Sequence, residues 1–229
     1  MEQPLFAGCR FGLEKVSMND YPGLVAAVLF IPGCNLRCPY CHNASLVERP
    51  FPDDLLSFEE AAAYLRKRKN VLGGVCLSGG EPTLFAPLPE LIAAVRRLGY
   101  PVKLDTNGTL PDRLAAVRPD FIAMDIKTSP QKYGRLGYEC GDAVLKSIEW
   151  IRTSGIPHQF RTTVVPGITE TDDLDTIAAL TAGSPWVLHN FRNGNVLDPA
   201  YRNRLPLPDA EFRELVCRYT PGDTSLVIF

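Results

Sequence analysis

Six times along the chain an apolar run of strand length gives way to a stretch with helical spacing, and no linker or low-complexity tract interrupts the alternation. This pattern predicts parallel strands joined by right-handed helical crossovers, since a parallel neighbour is reached only by crossing a face of the sheet. Strands are predicted at 24–31, 74–78, 101–105, 121–126, 158–165 and 186–191, and helices at 57–69, 88–98, 111–117, 142–153 and 171–182. The first strand is apolar throughout, as a strand covered on both faces must be. Ser57-Phe58-Glu59-Glu60 has the spacing of a capping box. Leu91, Val95 and Leu98 recur at helical intervals and stop at Gly99. The tail adds a helical pattern at 209–219 and an apolar run at 225–229, to which the pattern assigns no role. The fold class is α/β, either an open doubly wound sheet or a sheet curled into a barrel.

The chain has 229 residues, 45% of them hydrophobic and 22% charged, the proportions of one globular domain. At this size about 70–75% of the unfolded surface can be buried, so neither disulfides nor a structural metal is needed for folding. With a net charge of −2 and one short basic run at 66–69, the sequence shows no visible nucleic-acid footprint. The longest apolar run, 24–31, is far short of the roughly 20 residues of a membrane helix. Residues 1–10 lack the layout of a secretory signal, and a cytosolic location is expected.

Seven cysteines in a cytosolic chain are expected as ligands, catalytic groups or buried thiols rather than disulfide partners. Cys9, Cys76, Cys140 and Cys217 are scattered, and Cys76, inside an apolar run, reads as a small buried hydrophobe. The other three form Cys34-Asn35-Leu36-Arg37-Cys38-Pro39-Tyr40-Cys41. Three such thiolates can ligate three irons of a [4Fe–4S] cube and leave the fourth open. Zinc closed by His42 is the alternative. A ferredoxin-type carrier would supply a fourth thiolate.

Polar and glycine-rich segments follow the strand ends: Gly33-Cys34, Gly79-Gly80-Glu81-Pro82, Thr106-Asn107-Gly108 and Lys127. In parallel architectures that edge carries the ligand. The cysteine loop with Tyr40 before its last cysteine, followed by Gly79-Gly80-Glu81-Pro82, resembles the signature of the radical S-adenosylmethionine (SAM) superfamily. Within it the chain is most similar to glycyl-radical-enzyme activating enzymes, and especially to activators of anaerobic ribonucleoside-triphosphate reductase. The segments that carry this are Gly12-Leu13-Glu14-Lys15, Asp20-Tyr21-Pro22-Gly23, Cys38-Pro39-Tyr40-Cys41-His42-Asn43, Ser78-Gly79-Gly80-Glu81-Pro82-Thr83, Lys103-Leu104-Asp105-Thr106-Asn107-Gly108, Met124-Asp125-Ile126-Lys127 and Phe160-Arg161-Thr162-Thr163-Val164-Val165-Pro166-Gly167.

The resemblance implies a partial (β/α)6 TIM-like barrel, one domain over 1–229 with its core at about 20–192 and an extension at 193–229. It implies that Cys34, Cys38 and Cys41 hold a [4Fe–4S] cluster whose open iron takes the amino and carboxylate groups of SAM. Gly79, Gly80 and Glu81 would hold the methionine amino group, Asp125 and Lys127 the ribose hydroxyls and carboxylate, and Arg161 the carboxylate. Asn43 would reach the adenine or ribose, and Tyr40 would pack on the adenine or merely fill the loop. Asp105 and Thr106 resemble ligands of a monovalent cation, Na or K, beside the methionine carboxylate, with the carbonyl of Ala123 as a further ligand. Pyruvate formate-lyase activators place a histidine after the last strand. Alignment through Gly194 puts Phe191 there, and His189 falls two residues early.

The activity so implied is reductive cleavage of SAM to methionine and a 5′-deoxyadenosyl radical, which takes hydrogen from a glycine of a partner enzyme, the anaerobic ribonucleotide reductase. A flavodoxin- or ferredoxin-type protein would supply the electron. Two alternatives stand beside it. The same chemistry could act on another glycyl radical enzyme or on a small molecule, as in deazaguanine-forming enzymes, or the chain could be a zinc- or cluster-bearing interaction module.

Overall fold

The computed structural model describes residues 6–219; the apolar run at 225–229 lies outside them, as do the first five residues of the segment read for a signal. Among the described residues the strands are β1 (Gly12–Ser17), β2 (Ala26–Ile31), β3 (Gly74–Gly79), β4 (Val102–Thr106), β5 (Phe121–Asp125), β6 (His158–Val164) and β7 (Trp186–Asn190). The helices are α1 (Phe58–Lys67), α2 (Leu88–Arg97), α3 (Pro111–Ala115), α4 (Gly141–Thr153), α5 (Thr171–Thr181) and α6 (Asp209–Tyr219). Strand order follows chain order from β1 to β7. From β2 onward each strand is followed by a helix, the alternation of a (β/α)6 partial barrel.

The chain divides into two compact units. Of the described residues, the first contains those up to Asn35, then Ser45–Thr106 and Asp112–Ile122; the second contains Leu36–Ala44, Asn107–Pro111 and those from Ala123 onward.

In the first unit β2, β3 and β4 pair in parallel, with Ala26 opposite Gly74, Ile31 opposite Gly79 and Val75 opposite Val102. β2 is buried except for Phe30, which explains its unbroken apolar run. The predicted capping box opens α1. Ser57 Oγ accepts from the Glu60 N–H at 3.2 Å, and the Glu60 carboxylate accepts from the Ser57 N–H at 2.8 Å. β1, which the sequence pattern missed, pairs antiparallel with β2. Its exposed Glu14 and Lys15 suit an edge strand, where charge discourages further pairing, and they erase the apolar signal.

In the second unit β6 and β7 pair in parallel, Phe160 opposite Trp186 and Thr163 opposite His189. The fully buried carboxylate of Asp173 accepts from the Glu170 N–H at 3.0 Å, capping α5. It also accepts from Ser129 and from Lys132 Nζ at 3.0 Å, which offsets the cost of burying its charge. The tail helix α6 docks on α5 through Tyr219, whose hydroxyl donates to Asp175 at 2.7 Å. The extension thus contributes the sixth helix.

Candidate active site

In the first unit the loop after β2 is fixed by its backbone. The Gly33 N–H donates to the Leu46 carbonyl at 2.7 Å and the Cys34 N–H to the Val47 carbonyl at 3.1 Å. From β3, the Gly80 N–H donates to the Ile31 carbonyl and the Glu81 N–H to the Gly33 carbonyl, both at 2.8 Å. Only glycine permits this approach. A Cβ on Gly80 would lie 2.0 Å from the Gly33 oxygen, and one on Gly79, whose φ is +116°, would lie 2.5 Å from the Ile31 nitrogen.

Glu81 is fully buried, and its Oε1 accepts from the Thr83 N–H at 3.0 Å, from the Thr106 hydroxyl at 2.7 Å and from the Thr83 hydroxyl. One oxygen collecting three donors fixes the carboxylate orientation. On β4 the expected cation ligand Asp105, next in sequence to Thr106, has a protein cation instead: the Lys103 ammonium donates to its Oδ1, and the Ser78 hydroxyl donates to Oδ2 at 3.1 Å. Lys103 is 1% exposed, and its ammonium also reaches the Cys76 sulfur at 3.6 Å. Cys76 is buried as expected, yet its neighbour is a charge. With the Lys103 ammonium already on Asp105, this donor set does not fit a bound Na or K ion.

In the second unit Cys38 and Cys41 sit on one tight turn, closed by a 3.0 Å bond from the Cys41 N–H to the Cys38 carbonyl. Cys38 is buried and Cys41 half-buried. Burial pushes the Cys41 thiol up, while the Lys127 ammonium and the Asn43 N–H pull it down. The loop is clamped from the chain beyond β7. The Leu197 N–H donates to the Cys41 carbonyl at 3.0 Å and the Asp198 N–H to the Pro39 carbonyl at 2.9 Å. Tyr40 is buried, yet its hydroxyl finds no partner among the described residues. Burial and the neighbouring Cys38 raise it well above the usual phenol range, so it is present as a neutral donor.

At the end of β5, Asp125 Oδ1 accepts from Arg161 Nε at 2.8 Å and Oδ2 from Lys127 Nζ at 3.0 Å. Burial pushes the carboxyl up, but the two cations more than reverse it and hold Asp125 well below the ordinary range. Lys127 is correspondingly raised, its burial outweighed by Asp125. The Lys127 N–H donates to the Tyr133 hydroxyl at 3.0 Å. His189 lies two residues beyond Val187, the partner of Arg161 in the β6–β7 register, and so shares that face. Desolvation and the Arg161 guanidinium lower its pKa. Phe191, at the aligned position, is buried in the core.

None of the seven cysteines is in a disulfide. His42 is exposed, and among the described residues no group of three or more His, Cys, Asp and Glu side chains converges as a single-ion site. In the first unit Cys34 beside a glycine contact that admits nothing larger, and in the second Cys38 and Cys41 with the buried Tyr40 hydroxyl, each have donor chemistry that fits a share in holding a cluster and its cofactor.

The radical SAM superfamily profile matches residues 28–180. The chain belongs to the radical SAM superfamily and is an enzyme, which sets aside the interaction-module alternative. A protein of Methanocaldococcus jannaschii, provisionally named a glycyl-radical enzyme activating enzyme, is 30% identical over 226 residues, covering 89% of this chain and 88% of its own length. The pyruvate formate-lyase-activating enzyme of Listeria monocytogenes is 30% identical over 186 residues, covering 73% of this chain and 72% of its own. Among solved structures, TYW1 with a lysine-pyruvate adduct bound gives a TM-score of 0.62 at 18% identity, covering 85% of this chain and 72% of TYW1. Streptococcus suis SuiB bound to S-adenosylmethionine gives 0.59 at 18%, covering 82% of this chain and 47% of SuiB. These two likenesses concern the fold, and agree with a partial barrel. Superfamily membership implies a [4Fe–4S] cluster and SAM as cofactors.

Sequence reasoning missed Lys103, Tyr133 and the 197–198 clamp. A lysine inside an otherwise apolar strand, two residues before an aspartate, is a legible signal for a buried ion pair. The clamp acts through backbone atoms and leaves no side-chain signature.

Proposed function

We propose that this protein activates a glycyl radical enzyme, the anaerobic ribonucleoside-triphosphate reductase, by taking a hydrogen atom from a glycine of that partner. In this reading Cys34, Cys38 and Cys41 hold three irons of the cluster. Gly79, Gly80 and Glu81 bind the amino group of SAM, Asp125, Lys127 and Arg161 its ribose and carboxylate, and Tyr40 and Asn43 its adenosyl end. When bound, cluster and cofactor supply the one-electron cleavage of a carbon–sulfur bond whose product takes hydrogen from the partner glycine.

The observation that carries the reading is the Asp125–Lys127–Arg161 group at the end of β5. Its carboxylate stays ionised at any working pH, so it accepts hydroxyl donors from a ribose without itself changing charge. Two cations around one carboxylate leave a net positive charge that attracts the cofactor carboxylate. Buried Tyr40 excludes water from the cysteine turn. A glycyl radical enzyme as partner is supported by the chain's similarity to a protein named as such an activating enzyme over 89% of its length; the choice of the reductase rests on the motif resemblance. A cytosolic flavodoxin or ferredoxin is the proposed electron source. No described helix is long and apolar enough to cross a membrane.

The test is to mix the reconstituted protein, SAM and a reductant with anaerobic ribonucleotide reductase and record the electron paramagnetic resonance spectrum. A glycyl radical doublet on the reductase is the expected result. SAM cleavage with no doublet there, but one on another glycyl radical enzyme, would reassign the partner.

A further inference from the structure

The face of the sheet shared by β3 and β4 carries a polar block. Cys76 lies opposite Lys103 in the parallel register, and two residues further along each strand Ser78 meets Asp105. Leu77, Val102 and Leu104, which alternate onto the opposite face of the same strands, are fully buried, and so is Cys76 on this one. A lysine 1% exposed in such a strand is costly to desolvate and persists only where it is paired. Its partner is Asp105, the carboxylate that in similar enzymes is expected to hold a monovalent cation beside the methionine carboxylate.

We infer that the Lys103 ammonium is a built-in replacement for that cation, so that this enzyme binds SAM without sodium or potassium. The charge count is one for one, because an ammonium offsets the repulsion between Asp105 and an incoming carboxylate as a monovalent ion would. The two also exclude each other. A metal ion on Asp105 would stand against an ammonium that has no solvent to withdraw into, and like charges at such a separation in a buried site repel strongly. Thr106, the other expected ligand, spends its hydroxyl proton on Glu81 at 2.7 Å, which ties the Lys103–Asp105 block to the carboxylate proposed for the methionine amino group. Lys103 is therefore a positioning residue. It fixes Asp105 and supplies the positive charge, and the reaction needs no diffusible ion.

This inference rests on the proposed SAM site, and the experiment separates the two. The anaerobically reconstituted full chain is titrated with SAM in sodium, potassium and choline chloride at equal ionic strength. The wild type is expected to bind within about twofold in all three salts, and a loss of about tenfold or more in choline would overturn the inference. Lys103→Met should bind about tenfold more weakly in choline and recover in potassium or sodium, a gain of ion dependence that a merely structural lysine would not produce. Wild-type affinity of this variant in choline would also overturn it. If the variant does not fold, the wild-type salt series still decides. Sodium-23 line broadening on the wild-type holoenzyme gives a readout independent of SAM: no saturable sodium site is expected, and one that disappears in Asp105→Asn contradicts the inference. Failure to bind SAM in every salt would refute the cofactor site, while the sodium measurement would still test Lys103.

Discussion

Arg161 on β6 closes on Asp125 at the end of β5, Nε to Oδ1 at 2.8 Å, while Lys127 holds the other carboxylate oxygen. A carboxylate so held is a fixed acceptor. Its ionisation also couples the site to acid stability, because the folded group titrates below the unfolded one.

The sign of that coupling gives the first prediction. A depressed carboxyl contributes stability that is fully present above the ordinary aspartate value near 4 and is lost as pH falls through the folded value. Asp125→Asn should therefore lower stability at pH 7 by about 1–3 kcal/mol and flatten the acid-unfolding profile below pH 4. The cluster should still assemble, and SAM affinity should fall about tenfold or more by calorimetry. An unchanged acid profile and affinity would show that the carboxylate is a solvated bystander.

Tyr40 makes an opposite pair of demands. Its buried hydroxyl has no partner among the described residues, so Tyr40→Phe should leave the melting temperature of the cluster-free chain unchanged or raise it, by up to about 1 kcal/mol in stability. If the cofactor supplies the missing partner, the same variant should bind SAM about three- to tenfold more weakly. Loss of stability without loss of affinity would assign the hydroxyl to the fold alone.

Gly80→Ala tests the contact between the strand-end glycines and the cysteine loop. The new Cβ meets a backbone oxygen at 2.0 Å, which cannot rotate away, so a destabilisation of about 2–4 kcal/mol and poor iron incorporation are expected. Gly155→Ala is the control: its φ is +73° but nothing lies within 4 Å, and it should cost about 1 kcal/mol with normal iron content. Equal effects of the two would mean that the loop yields to the new Cβ and that the close approach at Gly80 costs little.

The strands and helices were legible where burial forces a pattern. β2 is apolar because both faces are covered, and α1 begins at Ser57 because its capping box is local chemistry. Asp125 and Lys127 could be paired from their two-residue spacing alone. β1 was not legible, since an edge strand with Glu14 and Lys15 exposed has no apolar alternation to read. The cation ligands were read from the motif around Asp105, but which cation sits there depends on Lys103 being buried, and burial is set by neighbours far apart in sequence. The clamp from Leu197 and Asp198 is backbone to backbone, and any residue but proline could make it.

The account stands on three thiolates holding an iron–sulfur cube that meets SAM at its open iron. The direct measurement is the electron paramagnetic resonance spectrum of the reduced, air-excluded protein before and after SAM is added, with iron and sulfide content determined on the same sample. The account predicts about four irons and four sulfides per chain, a [4Fe–4S] signal that changes shape on adding SAM, and the loss of both in Cys38→Ala. Zinc in place of iron, or a cluster signal indifferent to SAM, would contradict it.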